Sequence, residues 1–282
     1  MQGMKRVAIR AVWLLSAFAS APFAFAQNDT PPPLDDGQIA RALLAADATG
    51  RLIYLHDHAA AVATDAVMEL KAFRRDGKRG DLAGWITEQR DEGIIVSFLS
   101  SESVPRARYR VTVANDGRTA GSPEALVEPA ALTAYELGAA RARATAATAT
   151  FEPCSRTYNT VVLPPTTEDG GWTAYLLPGT TQQGVVPLGG SYRLDLDTTG
   201  DRILTQRPFT RSCIAIESPR NDRSMKAVAM MITHLLDPAP TEVHVFWSLW
   251  ARQPMYVATS QGNWLIENGK TRLMSRREKE AQ

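Results

Sequence analysis

The chain has 282 residues with 31 basic and 30 acidic side chains, so its formal net charge is +1. This balance gives no long-range attraction to nucleic acid or anionic lipid, and we expect no nucleic-acid partner. Hydrophobic residues make up 44% of the chain, as in an ordinary globular protein with a buried core.

The first 26 residues have the three parts of a secretory signal peptide. Three basic residues come first, an uncharged apolar run follows over residues 11–19, and Ala24 and Ala26 place small side chains before a cleavage point. The apolar run is shorter than the about 20 residues that span a bilayer, and no later stretch is apolar enough to do so. We therefore expect cleavage after Ala26 and a periplasmic or secreted mature protein without a transmembrane segment; the alternative is a buried N-terminal helix.

An N-terminal α+β part is predicted over residues 37–131, after an extended leader at 27–36 that contains three consecutive prolines. Apolar residues at helical spacing predict a pair of helices, the first ending near Gly50 and the second capped by Asp57. These helices are expected at residues 38–48 and 58–73, before a charged loop at 74–81. Alternating patterns bounded by turn residues predict three strands, at residues 84–88, 94–99 and 107–113.

An Ala-rich connecting helix is predicted at residues 132–150, where Thr133 and Glu136 offer a capping box. A β-rich part follows over 151–274, with one helix at 224–236 and a disordered tail at 275–282. Its strands are expected at residues 158–163, 172–177, 190–197, 202–207, 210–216, 243–249, 255–259, 264–267 and 270–274. Adjacent strands joined by short turns favour antiparallel pairing, so the fold class is α+β with largely antiparallel sheets.

Two cysteines, Cys154 and Cys213, lie in the mature part of the chain. An even number of cysteines in an oxidising compartment favours one disulfide. The alternative is a pair of free thiols, in which Cys213 acts as a nucleophile with His234 or His244 as its base.

The chain lacks the common local signatures of nucleotide binding, serine esterases, zinc proteases and Cys-x-x-Cys redox centres. The best remaining candidate is a metal site made of His234, Glu242 and His244. If residues 243–249 form a strand, Glu242 and His244 share one face, and a bend after His234 could bring that imidazole over them. Two imidazoles and a carboxylate are a sufficient ligand set for a catalytic zinc ion. The alternative is an ordinary polar strand face.

Two further groups of polar residues fit ordinary structural roles. His56 and His58 flank Asp57 and could bind a metal if they lay on a strand, but a polar helix start, which would direct the two rings apart, is the favoured interpretation. Asp195 and Asp197 share a strand face, as solvated residues beside a turn commonly do. Two functions therefore follow: a non-catalytic exported protein that binds a ligand or partner, or a metal-dependent hydrolase using the three candidate ligands. The sequence leaves the partner, the oligomeric state and any catalysis open.

Overall fold

The computed structural model describes residues 32–167, 169–180, 182, 184–217 and 229–276. The predicted signal peptide lies outside the described residues, as does most of the extended leader. The same is true of residues 277–282 of the predicted tail and of the first part of the helix predicted at 224–236.

One helix, α1 (Asp36–Met68), replaces the predicted helical pair. It begins at Asp35, whose side chain accepts a hydrogen bond from the Gln38 N–H. Gly50 does not end a helix; it lies inside α1 where another helix crosses closely. Asp57 does not cap a helix either, because it lies inside α1, and its carboxylate accepts a hydrogen bond from Asn159. Both residues resemble helix ends in sequence, but in the structure each makes a contact with a distant part of the chain.

A second, short helix, α2 (Lys71–Arg79), occupies most of the region predicted to be a charged loop. It ends at Gly80, whose φ of 76° is the left-handed conformation that glycine adopts readily at helix ends. Phe73 and Asp76 face inward, whereas the basic side chains cover the exposed surface. The charged composition therefore marked an exposed helix face and not a loop.

The first sheet is a four-stranded antiparallel meander. Its strands are β1 (Leu82–Arg90), β2 (Gly93–Ser100), β3 (Ala107–Val113) and β4 (Glu124–Ala130). The three predicted strands are confirmed, and β4 is an edge strand whose exposed residues gave no alternating signal. One face of this sheet packs on α2 and the C-terminal half of α1, around Val96, Phe98 and Val111.

The predicted Ala-rich helix is confirmed as α3 (Ala134–Ala146), with the Thr133–Glu136 capping box in place. The next strands are β5 (Tyr158–Leu163), β6 (Thr173–Pro178), β7 (Val185–Val186), β8 (Tyr192–Leu196), β9 (Ile203–Pro208) and β10 (Ile216–Glu217). A second antiparallel sheet has the order β5-β6-β8-β9, and β7 pairs with β10. Of the strand predicted at 210–216, only Ile216 lies in a strand.

In the second sheet, β9 is largely exposed, whereas β5 and β6 are buried on both faces. Ala174 and Leu194 pack against α3, whereas Val161 and Tyr175 belong to a core shared with the N-terminal half of α1. Alternation along these strands therefore separates two interior faces and not an interior from a solvent face.

The last elements are β11 (Met230–Thr233), α4 (Glu242–Ala251), β12 (Met255–Ala258), β13 (Gly262–Glu267) and β14 (Lys270–Arg276). The prediction of a helix through residue 236 is wrong for residues 230–233, which form β11, and the prediction of a strand at 243–249 is wrong because these residues form α4. Since every residue from Glu242 to Ser248 is buried, α4 has no polar face to reveal the helical period. The strands form a third sheet, antiparallel except between β11 and β12.

Two tertiary links join parts of the chain that are far apart in sequence. A disulfide joins Cys154 to Cys213 across 59 positions of the chain. Asp47 of α1 accepts hydrogen bonds from the backbone and side chain of Thr271 in β14. Within the described ranges, no helix combines the length and apolar composition needed to cross a bilayer, although α1 has 33 residues.

Candidate functional site

One face of α1 lines two neighbouring cavities. Ala42, Ala46, Thr49, Leu52 and His56 follow one another at spacings of three or four residues, so they lie on one side of the helix. The larger cavity, of about 340 Å³, we call the Arg193 cavity. Its lining includes Leu52, His56, Tyr135, Leu163, Tyr175 and Arg193. The smaller, of about 190 Å³, we call the Asp237 recess; it also contains Thr49 and Arg193.

Arg193 lies where the two cavities meet. It faces Tyr175 across the β6–β8 pair, which places both side chains on the same face of the second sheet. Its Nε donates to Asp195 at 2.8 Å, and its Nη1 lies 3.5 Å from Glu242 Oε1. The Tyr175 hydroxyl donates to the same Glu242 oxygen at 3.1 Å. The guanidinium is therefore fixed in position but keeps N–H groups that no described residue accepts.

Thr87 of β1 contacts two side chains that line the Arg193 cavity, His56 and Tyr135. Its hydroxyl lies 2.7 Å from His56 Nδ1, and its carbonyl oxygen accepts a hydrogen bond from the Tyr135 hydroxyl at 3.1 Å. His56 Nε2 has no hydrogen-bond partner among the described residues. Every fully buried side-chain nitrogen of the described residues has a hydrogen-bond partner. Since Nε2 has none, it is not fully buried, and it opens onto the cavity that His56 lines.

Burial fixes the protonation states around this cavity. It lowers the pKa of His56 to about 4, so the imidazole is neutral at physiological pH. Burial, reinforced by the neighbouring Glu88, raises the pKa of Tyr135, and burial together with Glu242 raises the pKa of Tyr175. Both phenols therefore stay protonated. The cavity offers neutral hydrogen-bonding groups and one cation beside apolar side chains.

The structure brings two of the three predicted metal ligands together. The rings of His234 and His244 meet edge to face with their centroids 4.5 Å apart. His234 Nε2 lies 2.7 Å from Asp237, and His244 Nδ1 accepts the Thr241 N–H at 3.1 Å. Burial alone would raise the pKa of Asp237, but its contacts with His234 and the charge of Arg207 outweigh that effect and lower it.

The third candidate, Glu242, is directed elsewhere. Residues two apart on a helix project about 200° apart around its axis, so Glu242 and His244 do not share a face of α4. The Glu242 carboxylate instead contacts Tyr175 and Arg193. Among the residues that the structure describes, no group of three His, Cys, Asp or Glu side chains is placed to hold a metal ion.

Other candidates from the sequence have structural roles. Cys213 is bonded to Cys154, so it is not a free thiol nucleophile. Asp195 pairs with Arg193, and Asp197 accepts backbone N–H groups of the turn that joins β8 to β9. His56 and His58 lie on a helix, where His58 stacks against Tyr54.

Asp57 is buried beside His56, and burial outweighs its hydrogen bond from Asn159 to raise its pKa from 3.8 to about 6. The stability that this carboxyl contributes is thus fully present below pH 3.8 and is lost as the pH rises through about 6. We expect Asp57→Asn to increase the free energy of unfolding by about 2 kcal/mol near neutral pH, and by about half as much near pH 5. Urea titrations at both pH values measure this difference.

The matched control for this prediction is Asp65→Asn, because Asp65 lies two turns further along α1 and is exposed. It is expected to leave the free energy of unfolding unchanged at both pH values. A stabilisation by Asp57→Asn that did not depend on pH would show that the buried charge is not its cause.

Sequence reasoning missed the main feature of this site. Arg193 alternates with the apolar residues of its strand, a pattern that predicts a solvent-facing side chain. Its role depends on Tyr175, which is its cross-strand neighbour, and on Glu242, which is 49 positions further along the chain. The sequence signal that could have indicated this role is a charged residue in a strand whose other residues are largely apolar and aromatic.

Comparison with protein families, with curated proteins and with solved structures finds no match to this chain. The fold and the site thus define it only as an α+β protein with a cavity of polar and apolar side chains against α1.

Proposed function

We propose that this chain is an exported, non-catalytic binding protein whose ligand is a small polar organic molecule held in the Arg193 cavity. The observation that carries the proposal is the convergence of α1, β1, α3, β6 and β8 on one cavity of about 340 Å³. Cavities of this size with an apolar wall and a few fixed polar groups are typical of small-molecule sites.

The charges indicate which ligands fit. Arg193 is the only cation among the side chains that line the Arg193 cavity in the described structure, and it contacts both Asp195 and Glu242. A further anion would face these two carboxylates, whereas a neutral acceptor such as an amide or hydroxyl could accept a free N–H at little electrostatic cost. Leu52 and Leu163 offer apolar contacts nearby. We therefore favour an uncharged ligand with both polar and apolar parts.

The protonation states favour binding over acid–base catalysis. A general acid or base is most effective when its pKa is close to the working pH. The pKa of His56, about 4, is too low for this, and the raised pKa values of Tyr135 and Tyr175 are too high. The metal-dependent hydrolase receives less support, since Glu242 is directed away from the paired imidazoles.

Export is part of the same proposal. The disulfide between Cys154 and Cys213 supports an oxidising compartment, and residues 1–26 have the pattern of a cleavable signal. We expect the protein recovered from the periplasm or the medium to begin at Gln27, which N-terminal sequencing or intact mass would establish. An exported form that retained Met1 would contradict this.

Binding can be tested with benzamide as a neutral probe and benzoate as its anionic counterpart, monitored by amide chemical shifts. We expect benzamide to perturb residues of α1 and β8 around Leu52 and Arg193, and benzoate to bind more weakly. Arg193→Met keeps the apolar stem but removes the donors, and should weaken benzamide binding by about tenfold or more.

The matched control is Arg202→Met, because Arg202 has a 74% exposed side chain beside the same sheet and lies outside the cavity. Its affinity should stay within about twofold of the parent protein. Since Arg193→Met leaves Glu242 and Asp195 without their cation, Leu52→Trp provides a second variant that fills the cavity and leaves these contacts intact. Equal benzamide affinity in the parent protein and both cavity variants would refute the proposal.

A further inference from the structure

A third cavity, of about 460 Å³, is lined by Asp57, whereas the preceding residue, His56, lines the Arg193 cavity. We call it the Asp57 cavity. Its lining includes Asp57, Ala61, Phe73, Trp85, Phe98 and Asn159. Small side chains of α1 leave the space open, and aromatic side chains from α2, β1 and β2 form part of its wall. It shares no lining residue with the Arg193 cavity.

The carboxylate of Asp57 is the main polar group of this cavity. Asp57 is only 6% exposed, and the Asn159 amide donates to its Oδ1 at 2.9 Å. Oδ2 has no hydrogen-bond partner among the described residues. Every fully buried side-chain oxygen of the described residues has a hydrogen-bond partner. Since Oδ2 has none, it is not fully buried, and it opens onto the cavity that Asp57 lines.

No cationic side chain in the described part of the chain forms an ion pair with Asp57. One basic group, Arg143, lies beside this wall, over the Trp85 ring at 4.7 Å, and donates to the Thr160 carbonyl. A second acid, Asp65, lines the same cavity. Among the described residues, neither carboxylate of the cavity is therefore paired with a cationic side chain.

We propose that the Asp57 cavity binds a small organic cation, whose ammonium group pairs with Asp57 and whose apolar part lies against Trp85 and Phe98. A buried carboxylate is costly unless a positive charge accompanies it, and a cationic ligand supplies that charge. Aromatic faces attract organic ammonium groups in addition to packing against their apolar parts. The volume suits a small amine and not a macromolecule.

The titration of Asp57 agrees with this assignment. Burial raises its pKa to about 6, so the carboxyl is largely ionised near neutral pH even without a cationic partner. An ammonium ligand would favour the ionised form further. Inorganic cations are a poorer fit, because the described residues offer no group of three acidic or imidazole ligands here.

The test uses benzylamine, which is a cation at neutral pH, and benzyl alcohol, which has the same shape without the charge. Calorimetry gives the affinities, and amide chemical shifts locate the site. We expect benzylamine to perturb residues around Ala61 and Trp85, and to bind at least about tenfold more tightly than benzyl alcohol. Asp57→Asn should remove this preference, because it keeps the shape of the side chain but not its charge.

Two further variants test whether binding requires the Asp57 charge in particular and the open space beside it. Glu69→Gln removes an exposed charge near the end of α1, outside the lining of this cavity, and should change benzylamine affinity by no more than about twofold. Ala61→Trp should block binding by filling the cavity while Asp57 and Asn159 stay in place. Absence of benzylamine binding, shifts confined to another part of the protein, or equal affinity in the parent protein and Asp57→Asn would each overturn the proposal. Arg193→Met leaves this cavity unaltered, so the two binding proposals fail independently.

Discussion

Replacing Gly50 with alanine is expected to lower the free energy of unfolding by about 3 kcal/mol or more, the upper part of the range for overpacked interiors. A Cβ at this position would lie 2.5 Å from Val245 Cβ and 2.6 Å from the Glu242 carbonyl oxygen. Both neighbours belong to α4, which is buried and cannot move aside without disturbing its own contacts. Chemical denaturation of the parent protein and the variant measures the loss.

The matched control is Gly77→Ala, in the exposed part of α2. There a new Cβ meets only Leu82 Cδ1, at 4.0 Å. Alanine favours helix more than glycine by about 1 kcal/mol, so this substitution should be neutral or stabilising. If Gly50→Ala were as well tolerated as Gly77→Ala, the close crossing of α1 and α4 would be incorrect.

Removing the disulfide by the double substitution Cys154→Ser and Cys213→Ser is expected to cost about 4 kcal/mol. The bond closes a loop of 59 positions that contains all four strands of the second sheet, so its loss increases the conformational freedom of the unfolded chain. Urea or guanidinium titrations of the oxidised protein and the variant give the difference.

A reductant serves as the internal control for this experiment. It should lower the denaturation midpoint of the parent protein toward that of the double variant, while the midpoint of the variant stays unchanged. Identical midpoints for the oxidised parent protein and the double variant would contradict a stabilising bond between Cys154 and Cys213.

Sequence patterns correctly predicted the elements that are fixed by interactions between residues close together in the chain. The strand β3 has the predicted bounds, since its residues alternate between buried and partly exposed positions. The capping box of α3 depends on Thr133 and Glu136, three positions apart, and it is present. In both cases the interactions that fix the element involve neighbours in sequence.

Predictions failed where tertiary contacts gave a residue its role. Gly50 looked like a helix end but permits the approach of α4, and Asp57 looked like a helix cap but contacts Asn159, 102 positions away. The strand predicted at 243–249 became α4, because a helix buried on nearly every side lacks the polar face that distinguishes it from a strand.

The sequence by itself determined the α+β class, the cysteine pair and most strands, because hydrophobic periodicity and turn residues act over a few positions. Only the tertiary structure decided that Arg193, Tyr175 and Glu242 meet, that Glu242 is separated from the paired imidazoles, and that Asp57 opens onto a cavity. These contacts depend on the packing of α1 and α4 against the second sheet. Residues that are far apart in sequence form no local pattern from which such packing could be predicted.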